Sequence, residues 1–195
     1  NQINELFFEI LIAPDFEDRA LKVLKSKKNR ILIKLKKIPK ESIQTRTCLN
    51  GNLEQDFDIK TETFDDFKVV TNISPNKNNS DDLVLASIIA KHTKSNCIII
   101  IKNQQLIGSG MGQVSRIDAL NQAIHKSKKF GFDLDGASLA SDAFFPFSDC
   151  VEISFENGIK SIVQPGGSVR DIDSINFCNQ NNMSMMFSGI RHFKH

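Results

Sequence analysis

The run Ser141-Asp142-Ala143-Phe144-Phe145-Pro146-Phe147 sets a carboxylate beside three phenylalanines, in a chain with 15 Phe, no Trp and no Tyr. Aromatics packed against an ionisable group suit a pocket for a flat ring: the rings offer stacking faces, and a buried acid needs a partner to offset its desolvation. The same phenylalanines also suit a plain core. A second run, Gln164-Pro165-Gly166-Gly167-Ser168-Val169-Arg170-Asp171, lets the backbone approach a ligand at its glycines and offers the Ser168 hydroxyl; the bland alternative is a strand-to-helix turn with its cap. Near the C-terminus Arg191 carries a planar fork suited to phosphate, provided it faces a pocket rather than solvent as tail residues do. Gly108, Gly110 and Gly112, followed by Ser115 and Arg116, read either as a tight turn or as an anion cradle at a helix N-terminus.

Other chemistries are excluded by spacing. The glycines match neither the Walker loop nor the dinucleotide fingerprint, and no G-x-S-x-G elbow is present. His92 has no second His or Cys at ligand spacing, and no C-x-x-C exists, so the zinc deaminase signature is absent and no zinc is expected. The lysine-rich stretch from Lys22 to Lys40 reads as a solvated face; with a net charge of +2, no nucleic-acid partner is expected. The longest apolar run, Cys97 to Ile101, is strand-sized, so no membrane span is expected. Cys48, Cys97, Cys150 and Cys178 form no C-x-x-C, and no secretory segment is read ahead of them; free thiols in the cytoplasm follow. A first residue of Asn, with a strand-like run five residues later, reads as a piece of a longer chain.

The elements that must position these groups alternate between strand and helix. Leu6 to Ala13 reads as a buried strand, Asp15 as the cap of a helix to Lys28, and Ile31 to Leu35 as a second strand, all suited to a sheet covered on both faces. Arg46 to Thr71 reads as polar connection with an Asn50-Gly51 turn. Ser80 is the expected cap of a helix over 81–91. Strands follow at 97–102 and 105–107, then a glycine loop at 109–112 and a helix over 116–130 capped by Ser115. Leu139-Ala140, Ser161 to Gln164 and Met183 to Phe187 read as strands, with helices from Phe147 or Ser148 to Asn157 and over 173–181. The unusual residues follow strand ends, where ligands bind in α/β sheets, so three loops are expected to converge on one pocket.

Taken together, Ala13-Pro14, Lys91 to Asn96, Gly108 to Arg116, Ser141 to Phe147, Gln164 to Asp171 and Arg191 to His195 resemble the C-terminal part of the bifunctional AICAR transformylase/IMP cyclohydrolase family. The resemblance spans essentially the whole chain. It implies a cytidine-deaminase-like, three-layer α/β subdomain over 48–195, preceded at 1–47 by the tail of a similar subdomain. It implies transfer of a formyl group from 10-formyltetrahydrofolate to the 5-amino group of AICAR in purine biosynthesis, at a homodimer interface. By position, Glu9, Asn96, Arg116, Phe144 and Arg191 match AICAR contacts, and Ile117, Asp149, Ser168 and Val169 match the folate side. Ala90, Thr93, Ser95, Cys97, Asp142 and His192 match a potassium site built largely of carbonyls; Cys97 stands where a small hydroxyl residue is common. The family's Lys-His pair, its general base and electrostatic stabiliser, is expected outside this sequence, as is the cyclohydrolase domain. The expectation is therefore a positioning fragment inactive alone; the rival is a non-catalytic ligand-binding or scaffold module on the same fold.

Overall fold

The computed structural model describes residues 2–37 and 43–194, in two compact units, Asn1–Phe57 and Asp58–His195. The boundary expected at 47/48 falls inside a hairpin of the first unit, and the division lies after Phe57 instead.

In the first unit, α1 (Gln2–Glu5) precedes β1 (Ile10–Ala13), α2 (Asp18–Leu24) and β2 (Ile31–Lys34). β1 and β2 pair in parallel, Ile10 opposite Ile31 and Ile12 opposite Ile33. The expected strand-helix-strand is thus present but shorter at each element. Ile10, Ile12, Ile31 and Ile33 are all exposed, against the expectation of a sheet covered on both faces. Strand side chains alternate between faces, so these four share one side of the ribbon, and no residue of this unit buries it. The Arg30 guanidinium donates to Asn4 Oδ1 at 2.6 Å and to the Asn4 and Leu6 carbonyls, and lies 4.1 Å from the centre of the Phe8 ring. The stretch read as polar connection begins as an antiparallel hairpin, β3 (Ile43–Cys48) and β4 (Gly51–Asp56), turning through Leu49 at a φ of 53° and Asn50.

The second unit is built on a six-stranded sheet. Its strands are β5 (Lys68–Val69), β6 (Ile98–Lys102), β7 (Gln105–Gly110), β8 (Ser138–Ser141), β9 (Ser161–Gln164) and β10 (Ser184–Phe187), in the order β5-β10-β9-β8-β6-β7. β8, β9 and β10 run parallel; β6 is antiparallel to β8, β7 to β6, and β5 to β10. Period-two alternation divides the core between two faces. Ile98, Ile100, Leu139, Ile162 and Met185 pack with α4 (Arg116–Lys129), α5 (Asp149–Glu156) and α6 (Asp171–Gln180) through Ala119, Leu120, Ala123, Cys150, Val151 and Cys178. Ile99, Ile101, Ala140, Val163 and Met186 pack with α3 (Lys77–His92) through Leu83, Ala86 and Ala90. The result is the three-layer α/β arrangement expected for this part of the chain.

Two local readings change. α3 starts four residues earlier than its expected cap: Asn76 accepts from the Asn79 N–H, while the Ser80 hydroxyl donates back to the Asn76 carbonyl from within the helix. Gly108 and Gly110 belong to β7 rather than to an anion loop. A Cβ at Gly110 would lie 1.8 Å from the Ala119 carbonyl oxygen, so the glycine is there to let α4 press onto the strand. The N-terminus of α4 is also spoken for: Ser115 Oγ accepts from the Asp118 N–H at 3.1 Å, and Asp118 adds its own negative charge in the first turn.

Candidate functional site

Three parallel strands end on one edge of the sheet, and each runs into one of the unusual motifs: β8 into Asp142, β9 into Pro165, β10 into Ser188. The antiparallel strands bring their complementary ends to the same edge, with Ile98 opposite both Ser141 and Gly110. The loops at 93–97, 111–116, 142–148, 165–170 and 188–194 therefore meet there, which is the convergence expected from the strand-end pattern.

At the centre Arg116 makes three contacts. Its Nη1 donates to Asn96 Oδ1 at 2.7 Å, its Nε donates to the Phe144 carbonyl at 3.2 Å, and Nη1 lies 3.1 Å from Asp142 Oδ1. The Arg116 side chain is 9% exposed and that of Asp142 fully buried. Asn96 is held at its other end too, its Nδ2 donating to the Gln113 carbonyl at 2.8 Å. Both Asp142 carboxylate oxygens are buried and make no hydrogen bond among the described residues. Phe144, half-buried, has the Arg191 guanidinium 4.9 Å from its ring centre, within cation–π range. Arg191 itself is exposed, and no hydrogen bond or ion pair of its side chain is found among the described residues. The sequence left open which arginine faces an anionic ligand; the geometry separates them, Arg116 committed to its neighbours and Arg191 free.

The residues matched to potassium lie along one chain of contacts. The Ala90 carbonyl accepts from the Thr93 N–H and from Cys97 Sγ; the Cys97 carbonyl accepts from the Asp142 N–H at 3.4 Å; the Asp142 carbonyl accepts from the His192 N–H at 3.0 Å. Ser95 exchanges two hydrogen bonds with Lys194, its N–H to the Lys194 carbonyl and its Oγ accepting the Lys194 N–H, both 3.0 Å. Burial, followed by the Asp142 charge, raises the Cys97 thiol well above its ordinary range, so its sulfur stays protonated. Among the described residues no three His, Cys, Asp or Glu side chains are grouped to hold a metal ion.

The residues matched to the folate side are more dispersed. Ile117 sits in the first turn of α4 and packs against the core. Asp149 Oδ1 accepts from the Cys150 N–H at the start of α5. Ser168 Oγ accepts from the Arg170 N–H at 3.2 Å, and Val169 is fully exposed at the tip of its loop. Glu9 belongs to the first unit, where it is exposed just before β1.

Several residues at this edge escaped the sequence reading. Gln164 Oε1 accepts from the Phe145 and Gly166 N–H groups, joining the loops after β8 and β9. Asp171 Oδ2 accepts from the Gly167 and Ser168 N–H groups at 2.7 and 3.1 Å. His192 sits between two acids, Nδ1 2.5 Å from Asp58 Oδ2 and Nε2 2.6 Å from Glu62 Oε1. Gln164 and Asp171 stood inside a motif already singled out. Asp58 and Glu62 carried no signal, since they lie in a polar stretch more than a hundred residues from their partner.

Residues 1–126 match the family model described as AICARFT/IMPCHase bienzyme. The chain is 52% identical over its whole length to the bifunctional purine biosynthesis protein PurH of Bacteroides thetaiotaomicron and 43% identical to that of Aquifex aeolicus. It spans 38% of the length of each of these relatives. Among solved structures, the apo dCMP deaminase of cyanophage S-TIM5 is similar at a TM-score of 0.39 and 15% identity, over 57% of this chain and 98% of that one. With the matching model over most of its length and relatives aligned along all of it, the chain belongs to the AICARFT/IMPCHase bienzyme family.

Proposed function

We propose that this chain forms the substrate-positioning part of an AICAR formyltransferase, on a cytidine-deaminase-like subdomain, within a longer protein that is also an IMP cyclohydrolase. The observation that carries the reading is the Asn96–Arg116–Asp142 knot beside Phe144, with the free Arg191 guanidinium over that ring, in a member of this family. In the reaction the 5-amino nitrogen of AICAR bonds to the formyl carbon, the bond from that carbon to N10 of the folate breaks, and the amine proton passes to N10. The amine is a poor nucleophile because its lone pair is drawn into the ring and carboxamide. Alignment, a base and stabilisation of the tetrahedral oxyanion therefore carry the rate.

In this reading Phe144 stacks on the imidazole, Asn96 faces the carboxamide and Arg191 takes the phosphate. Arg116 orients Asn96 rather than binding the ligand directly. Glu9 supplies a further AICAR contact. Ile117, Asp149, Ser168 and Val169 line the folate side, and the base comes from the family's Lys-His pair outside this sequence. Asp142 supports a potassium ion: its two buried oxygens lack hydrogen bonds, and oxygen donors from Ala90, Thr93, Ser95, Cys97 and His192 lie along the same contact chain, a set that suits a hard cation. When bound, the ion would balance the Asp142 charge and hold these loops together.

Met111, Val114, Phe147 and Val169 are exposed apolar residues on the same edge, which supports a site covered by a second subunit in a homodimer. Among the described residues no helix is long and apolar enough to cross a membrane. That, the four free cysteines and the small net charge support a cytoplasmic enzyme without membrane or nucleic-acid partners.

The test is a chimera in which this chain replaces the matching segment of the Bacteroides thetaiotaomicron relative. Formyl transfer from 10-formyltetrahydrofolate to AICAR is expected from the chimera and not from the chain alone. A chimera that folds and binds AICAR but transfers nothing would sink the reading.

A further inference from the structure

The contacts of His192 go beyond what backbone pairing of a tail requires. Its two ring nitrogens face carboxylates on one segment, Asp58 at 2.5 Å and Glu62 at 2.6 Å, so each nitrogen has its own acceptor and the ring has no rotational freedom. His192 and Glu62 side chains are nearly fully buried, and Asp58 is partly so. The segment carrying the two acids is itself tied down: buried Lys91 donates from Nζ to the Lys60 carbonyl at 2.6 Å and to Thr61 Oγ1 at 3.0 Å, and lies 3.9 Å from Asp58 Oδ1. On either side of Arg191 the backbone is also fastened. Ser188 and Gly189 donate to the Gln164 and Pro165 carbonyls, His192 to the Asp142 carbonyl, and Lys194 to Ser95. The Arg191 guanidinium, in contrast, meets only the Phe144 ring among the described residues.

We propose that the Asp58–His192–Glu62 clamp is a positioning device that fixes the root of Arg191 so that its otherwise free guanidinium stands over Phe144, ready for an anionic, flat-ringed ligand. This deepens the AICAR reading and rests on it for the identity of the ligand. The arrangement concentrates rigidity one residue away from the group that must reach. A long side chain on a fixed root loses less freedom on binding than one on a frayed tail. Lys91 acts at one further remove, by holding the loop that presents both acids.

A double-mutant cycle on AICAR binding to the purified chain tests whether His192 works through Arg191. His192→Phe is expected to weaken binding by about tenfold, and Arg191→Ala by at least as much. The double variant is expected to be no weaker than Arg191→Ala alone. Glu62→Gln, which keeps an acceptor for Nε2, is expected to stay within about twofold of the parent. If His192→Phe leaves binding unchanged, or if the two losses multiply in the double variant, the clamp does not act through Arg191 and the proposal falls. Should His192→Phe fail to fold, Asp58→Ala at the partly exposed end enters the cycle in its place. Amide hydrogen exchange separates this from the functional reading. Exchange at His192 and Lys194 is expected to quicken by about tenfold or more in the clamp variant. A parent chain that binds no AICAR overturns the ligand assignment; unchanged exchange in the variant overturns the clamp.

Discussion

Arg116 reaches Asn96, the Phe144 carbonyl and Asp142 at once, whereas the loop from Gly166 to Arg170 is held largely through one carboxylate oxygen, Asp171 Oδ2, and the local turn made by Ser168. The first region is buried and cross-linked between four loops; the second ends in Val169, fully exposed. If the nucleotide and the folate occupy these two sides, the nucleotide meets groups already in place, while the folate meets a loop whose apolar tip has no cover in this chain. The difference teaches which side the chain completes by itself. The Arg116 side needs only a ligand, and the Val169 side needs a surface from elsewhere.

Arg116→Ala strikes the cross-linked side hardest. It leaves Asp142 buried without its only nearby cation among the described residues and releases Asn96 Oδ1. Breaking a buried pair by removing one partner costs about 3–5 kcal/mol, and urea denaturation should show a loss of that size. A loss under about 1 kcal/mol would mean that water or an ion already carries the Asp142 charge, and would weaken the contrast between the two sides. Asp171→Ala is the matching cut on the open side. It removes two hydrogen bonds to one carboxylate oxygen, so a loss of about 1–2 kcal/mol is expected, with faster proteolysis between Gly166 and Arg170. An equal or larger loss than for Arg116→Ala would reverse the comparison.

The sequence made the cross-linked side partly legible. Three odd motifs after three strands pointed to one sheet edge, and Ser115 read correctly as the cap of α4. What it could not show was the division of labour between the two arginines, because both precede or follow small, polar residues and either could take an anion. Only the Asn96, Phe144 and Asp142 contacts separate them. Gly108 and Gly110 misled for a similar reason: glycine permits either a ligand or a helix to come close, and the choice rests on Ala119, whose position is a matter of packing. The clamp on His192 was illegible because Asp58 and Glu62 occupy a stretch without apolar periodicity, and periodicity is what sequence reading follows. The same limit applies to Ile10, Ile12, Ile31 and Ile33. Their strand character is plain in the sequence, but what covers a strand face is not.

The tail offers a third way to probe the fixed side. Burial of His192 would lower its pKa, but hydrogen bonds to Glu62 and Asp58, with their charges, more than offset this and raise it above the ordinary 6.5. A raised folded-state pKa means that the protonated ring favours the fold. Its contribution is complete below the unfolded value and fades as pH rises through the higher folded one. The midpoint of thermal unfolding should therefore fall between about pH 6 and pH 9 in the parent chain, and that part of the fall should vanish in His192→Phe. An equally steep fall in the variant would assign the pH dependence to other groups.

The smallest expected effect on stability is the most telling for the open side. Val169 contributes no buried area to this chain, so Val169→Ser should change the urea midpoint by less than about 0.5 kcal/mol. Its consequence belongs to the assembled site. If the loop tip lies against the folate, removing its apolar surface from a contact that excludes water should weaken folate binding in the chimera by roughly fivefold, while AICAR binding stays as it was. Loss of AICAR affinity instead would tie the loop to the nucleotide side and merge the two regions into one. No change in either ligand would leave Val169 as a contact for a neighbouring subunit alone, a result that a weakened dimer in the same variant would register directly.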